Sequence, residues 1–217
     1  MTAIRRGGLA DEIVSYVRGQ ILAGELKPGE KIDQEAIANA LDVSRSPIRE
    51  ALVVLGQEGL LDVTPRRGAF VARLTRNDVI DHYELFGLVS GRVAAAAAIE
   101  LDDEQLDELR AIHQRFLGAT GDEHSKLNNE FHKLINSAAS RRTRWLLRHL
   151  ERSIPSGFYD MTPGWDDTAV SGHERIMTEI VNRNAEKARI AMEDHLHQAG
   201  VAAANALDAR GFWEDAQ

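Results

Sequence analysis

The sequence predicts a mainly α protein, an N-terminal winged helix-turn-helix followed by an antiparallel all-α bundle of six or seven helices. Three observations predict it. Residues 9–73 run in the order helix, helix, arginine-bearing helix, basic hairpin. Beyond residue 76 apolar positions recur at helical spacing and no alternating strand pattern returns. Charge divides at the same place: residues 1–76 hold 11 Lys+Arg against 10 Asp+Glu, and the remainder 15 against 24. Only the first third is therefore suited to face phosphates. A capping-box pattern at Thr75-Arg76-Asn77-Asp78 marks the junction, which gives expected domains of 1–75 and 76–217.

The chain of 217 residues has room for two domains, and 28% charged with 43% hydrophobic residues describes a folded, soluble protein. Cysteine is absent, which excludes disulfides, thiolate metal sites and a cysteine nucleophile. Met1–Asp11 has no apolar core after Arg5-Arg6, so it does not read as a signal peptide. The alanine-rich run Val93–Ile99, bounded by Arg92 and Glu100, is too short to span a bilayer. The expectation is a cytoplasmic protein with no membrane partner.

Leu9–Ala23 reads as the first helix, with Leu9, Ile13, Val17 and Ile21 at steps of four and Gly24 to end it. Leu26–Gly29 is a turn and Lys31-Ile32 a short extended piece. Asp33 can cap a second helix to about Leu41, with Ala36, Ile37, Ala40 and Leu41 facing inward. Asp42-Val43 leads to Ser44, a good N-cap, and Pro47 fits the first turn of the third helix. There Ile48, Ala51, Leu52 and Leu55 form one apolar face, and Arg45, Ser46 and Arg49 lie off it. A buried stripe behind and two arginines in front suit a helix that enters a DNA major groove. Gly59 stops it. Leu60–Val63 and Ala69–Arg73 then flank Pro65-Arg66-Arg67-Gly68, a hairpin with Gly68 supplying a positive φ and two arginines at its tip. Such a wing suits phosphates or a minor groove.

Six further helices are expected at about 77–99, 102–117, 122–139, 141–154, 167–183 and 185–209, with Asp102 and Asn184 as N-caps. Pro155, Gly157, Pro163 and Gly164 predict a loop or a short extra helix between Ser153 and Trp165. Three histidines fall in line with apolar stripes on different helices. His132 borders Leu127, Phe131, Leu134 and Ile135, with Asn128 one turn before it. His173 aligns with Val170, Ile176 and Ile180, and His195 with Ala188, Ala191, Met192 and Ala199. His197 is turned away. A lone inward histidine is ordinarily a hydrogen-bonded core residue. Three of them need three partners, and one divalent cation, zinc or similar, satisfies all three at once.

Gly24–Ile32, Leu41–Leu52, Glu58-Gly59-Leu60 and Arg67–Val71 together resemble the winged helix of the GntR superfamily of transcriptional regulators. The resemblance implies that Arg45, Ser46 and Arg49 contact bases and phosphates and that Gly68, beside Arg66 and Arg67, approaches the minor groove. Some members carry an arginine early in the second helix, where this chain has Glu35. Asn128-x-x-x-His132, His173 and Met192-Glu193-Asp194-His195 resemble the effector domain (FCD type) of the FadR-like subfamily. Many of its members hold a divalent metal through an Asp and three His, beside a small carboxylate effector. Here the first ligand position is Asn128, which offers no charge. Phe86 and Ser90 stand where an arginine and a glutamate are usual, which tilts the pocket toward an apolar, even lipid-like, effector. Tyr83, Phe86, Arg92 and Trp145 are further pocket candidates.

The resulting expectation is a homodimeric repressor that binds a palindromic double-stranded operator and answers to an organic acid or lipid-like effector. A metal-dependent enzyme built on His132, His173 and His195 is the first alternative, weakened by the lack of a carboxylate base at the first ligand position. An effector-independent architectural DNA binder is the second.

Overall fold

The computed structural model describes residues 8–152 and 165–213, in two compact units. One runs to Arg76 and takes in the chain from Leu207; the other is Asn77–Ala206. The expected second domain, 76–217, thus differs at its far end, because the chain from Leu207 onward groups with the first unit. The expected loop between Ser153 and Trp165 falls almost wholly outside the described residues.

In the first unit α1 (Leu9–Leu22) packs on α3 (Arg45–Gln57), with α2 (Gln34–Leu41) against α3. Ile13, Val17 and Ile21 bury fully with Ile48, Ala51 and Leu55. Each such large side chain contributes about 1.5–3 kcal/mol. Arg18 of α1 donates to the Glu58 carboxylate at 2.5 Å just past α3, a nearly buried ion pair across this core. Leu9, Ala36 and Ala40, expected inside, are exposed or only half-buried, so the inward face of each helix is narrower than its apolar spacing suggested.

The caps define the helix-turn-helix. Asp33 accepts from the amides of Glu35 and Ala36, and Asp42 ends α2 in the left-handed region at φ 52°. Ser44 occupies the N-cap of α3 with extended backbone, but its hydroxyl makes no capping hydrogen bond, contrary to expectation. Strands β1 (Leu61–Thr64) and β2 (Gly68–Val71) pair antiparallel, Leu61 opposite Val71 and Thr64 opposite Gly68. The turn between them needs positive φ at Arg66 (65°) and Gly68 (108°). The extended piece before α2 joins the hairpin, with Lys31 bridging Phe70.

The second unit holds α4 (Arg76–Glu100), α5 (Asp103–Phe116), α6 (Asp122–Ile135), a 3-10 turn (Asn136–Ala138), α7 (Arg141–Arg152), α8 (Trp165–Val181) and α9 (Ala185–Asp208). Asp102 and Gln105 form a reciprocal capping box at the start of α5. Asn184 precedes α9, but its side-chain amide donates to Glu179. The Arg183 guanidinium donates to the Leu101 and Ala98 carbonyls, which satisfies acceptors at the end of α4 and opposes its negative dipole end. Helix α5 packs on both α6 and α8. Gly91 lets α4 and α9 meet backbone to backbone; a Cβ there would stand 2.9 Å from the Arg189 carbonyl oxygen. Among the described residues no helix is long and apolar enough to cross a membrane.

Candidate metal centre and nucleic-acid interface

Three helices of the second unit bring His132 (α6), His173 (α8) and His195 (α9) together, their donor nitrogens all within 4.8 Å of one another. Each sits where its helix turns a residue inward. Phe131 stacks on His173 at 4.3 Å between ring centres, and His132 and His195 lie nearly parallel at 5.5 Å. Gly172 makes room for His195, since a Cβ there would collide with the imidazole Nδ1.

Burial strips these rings of their affinity for protons. It pushes His132 down to about 4, and His195 to about 3 with further lowering by His132 and Arg175. His173 is held well below the ordinary imidazole value by burial and then by the surrounding histidines. All three are therefore neutral near pH 7, with lone pairs free to bind a Lewis acid.

The donor set fits a divalent metal by its spacing. His132 Nε2 and His173 Nε2 stand 3.2 Å apart; two nitrogens bound at ~2.05 Å to one tetrahedral zinc ion are about 3.3 Å apart. His173 Nδ1 is buried with no hydrogen-bond partner. Without a metal one ring donates to the other; with one, both Nε2 lone pairs would face the ion, and Nδ1 of His173 finds no partner in either case. Nitrogen donors of this kind suit zinc, copper or nickel. Among the described residues no Asp or Glu joins the group. Asn128, one turn before His132 on the same helix, is partly buried and is the neutral fourth candidate.

Two histidines absent from the sequence-derived site belong to the same core. His113 and His124 are buried, His124 stacked on Phe116 at 4.0 Å and His113 beside Phe131 at 6.3 Å, while Phe116 lies 4.7 Å from His173. Their signal was available. His113 shares a helical stripe with Leu109 and Phe116, and His124 shares one with Leu127 and Phe131.

The weaker pocket candidates differ in exposure. Tyr83 and Phe86 are buried on α4, Tyr83 against Gly200, whereas Arg92 is exposed. Trp145 is 55% exposed on α7 and so is not a core residue. His197 bonds Glu84 at 3.0 Å, away from the trio as expected.

In the first unit Arg45, Ser46 and Arg49 are exposed at the N-terminal end of α3, on the side opposite Ile48 and Leu52. Arg66 and Arg67 are exposed at the wing tip beside Gly68. Arg45 pairs with Glu35 of α2 at 3.1 Å, a contact sequence reasoning did not foresee. It sets a carboxylate on the surface that carries the cations.

Residues 9–71 match the family described as bacterial regulatory proteins, gntR family, and residues 81–198 match the FCD domain. An uncharacterised HTH-type transcriptional regulator of Mycobacterium tuberculosis is 30% identical over 183 residues, covering 83% of this chain and 75% of that protein. The HTH-type transcriptional repressor RspR of Escherichia coli is 24% identical over 196 residues, covering 86% and 85%. Among solved structures, E. coli McbR/YncC shares the fold, with a TM-score of 0.63 at 19% identity over 89% of this chain and 95% of that one.

Proposed function

Because the chain belongs to the GntR family of bacterial transcriptional regulators and carries an FCD effector-binding domain, we propose that it is a repressor. It binds a palindromic operator as a homodimer, and a small organic acid bound among the helices of the second unit controls that binding. Membership makes it a DNA-binding regulator and not an enzyme, which removes the metalloenzyme reading.

The observation that carries the sensor reading is the meeting of three neutral imidazoles in the core of the FCD domain. An architectural protein has no use for three imidazoles that turn their donor nitrogens toward one point. His132, His173 and His195, with Asn128, would hold the metal. A divalent cation there supplies a positive centre for an effector carboxylate. The protein's own residues leave that charge uncompensated, and this favours an anion over a neutral lipid-like molecule. Phe116 and Phe131, packed against His173, make the surroundings apolar, which strengthens any charge pairing inside.

On the output side Arg45, Ser46 and Arg49 read base edges in the major groove, and Arg66, Arg67 and Gly68 engage the backbone and minor groove. A dimer presents two such heads to two-fold related half-sites. Helix α4 supports dimerisation: beside its buried face it exposes Leu85 and Leu88, apolar surface that a second copy would cover. The name of RspR supports repression over activation. The effector acts by binding one arrangement of the dimer better than another.

The test is selection of a duplex from random DNA by the full chain, followed by a mobility shift. A palindromic site bound with sequence preference is expected. Binding that ignores sequence, or no binding, overturns the proposal.

A further inference from the structure

Helix α7 carries five arginines and one glutamate in twelve residues, within a region from residue 77 onward whose formal charge is −9. A third of that region's basic residues stand on this one helix. Arg141, Arg142 and Arg144 occupy its first turn, where the helix dipole favours acids, and no acidic residue stands among them. Arg144 and Arg148 follow one another at i,i+4, a like-charge spacing that destabilises an isolated helix.

None of Arg141, Arg142, Arg144 and Arg148 forms an ion pair among the described residues. Arg142 lies over the Trp145 ring at 5.8 Å, and Arg148 feels the half-buried Glu151 from the same helix. Elsewhere in this unit arginines find carboxylates: exposed Arg110 with Asp107 and Arg175 with Asp194, and half-buried Arg189 with Glu186. Four arginines without such a partner on one helix set α7 apart among the described residues. Arg141, Arg142, Trp145 and Arg148 line a solvent-open concavity of about 500 Å³, within the roughly 300–1,000 Å³ typical of small-molecule sites. Trp145 is 55% exposed there, with His149 stacked on it at 5.7 Å.

We propose that this concavity is an anion site, separate from the histidine core, for a small molecule with two or more anionic groups of the pyrophosphate type. Three guanidinium groups line it, and each can donate to two phosphate oxygens at once. Bound anions would relieve the repulsion that the first turn of α7 otherwise carries. The indole at the floor, already in contact with Arg142, would report any rearrangement of that guanidinium.

The test uses the full chain, stripped of metal by a chelator, at constant ionic strength. Inorganic pyrophosphate is titrated while tryptophan fluorescence and, independently, binding heat are followed. Saturable binding is expected, weakened roughly tenfold or more by Arg141→Ala with Arg142→Ala. Trp145→Phe should remove the fluorescence change and keep the heat. All three side chains are exposed, so the variants should fold; Arg142→Gln provides a milder second version. Citrate tests whether a polycarboxylate is the better class, and tighter citrate binding would overturn the phosphate assignment. A response that does not saturate, or that orthophosphate and sulfate reproduce equally, means an adventitious ion only. Native mass that falls from dimer to monomer in the double variant would make α7 a subunit contact and likewise overturn the proposal.

Discussion

Gly172→Ala should disable the histidine site while leaving the second unit folded. A Cβ on α8 at this position collides with the His195 ring, Nδ1 first and then Cγ and Cε1. The ring has little freedom to yield, since His195 is 5% exposed, stacked on His132 and tilted against His173. It must swing out of a group whose donors lie within 4.8 Å of one another. Overpacking costs about 1–3 kcal/mol, and replacing a helical glycine by alanine returns about 1 kcal/mol. The metal-free variant should therefore be less stable by only about 0–2 kcal/mol. Its metal affinity should fall roughly 10–100-fold, as when the support of a ligand is lost. Unfolding with and without zinc measures both. At free zinc of 100 times the wild-type Kd, binding adds about 2.7 kcal/mol to the wild type. The variant should gain only about 1.4 kcal/mol if affinity drops tenfold, or about 0.4 if it drops a hundredfold. A full wild-type gain would show that His195 is not a ligand, or that its position is not set by Gly172.

Asn128→Asp should raise zinc affinity by roughly tenfold or more and make it indifferent to added carboxylate, because a carboxylate supplies the charge that the wild-type donors lack; competition with a chromophoric chelator in the presence and absence of acetate reads this, and equal behaviour of the two proteins would remove Asn128 from the site. Arg49→Ala should weaken operator binding by about 1–3 kcal/mol and relax base preference at one position of each half-site; unchanged binding in a mobility shift means α3 is not the reading helix. Glu35→Gln should strengthen binding by up to about 1 kcal/mol, since it frees Arg45 from an exposed pair and removes a negative charge near phosphates; weaker binding would instead make Glu35 a base-reading residue. The metal-free protein should lose stability below pH 6.5. His132 and His195, held at about 4 and about 3, refuse protons that the unfolded chain accepts below 6.5, so the contribution is whole above that value and lost on descent toward about 3–4. The slope is at most ~1.4 kcal/mol per pH unit for each histidine, and urea midpoints at pH 7.5, 5.5 and 4.5 that do not move would contradict it.

The winged helix was legible because its signals are local. Asp33 caps a helix, Gly59 ends one, and Gly68 takes the positive φ that the hairpin needs. Ser44 shows the limit, since sequence identifies an N-cap position but not whether its hydroxyl turns toward the helix. Helical period also found His132, His173 and His195, each on its own apolar stripe. It did not find that His113 and His124 complete the same cluster, although their spacings carried the same sign. The burial of Arg18 with Glu58, 40 residues apart, and the collision course of Gly172 with His195 depend on which helices pack together, and no periodicity encodes that. The outward turn of Trp145 was hidden for a related reason. A large aromatic is read as a core residue by default, yet α7 buries Leu147 and turns Trp145 outward among arginines.

The central claim is that one chain joins a DNA reader to a metal-dependent sensor. Native mass spectrometry of the full chain on its selected operator, with zinc supplied, tests it most directly. The predicted species is a dimer on one duplex with one divalent ion per subunit, the ion lost in His173→Ala. A monomer on DNA, or a dimer that takes up no metal at any zinc concentration, would contradict the account.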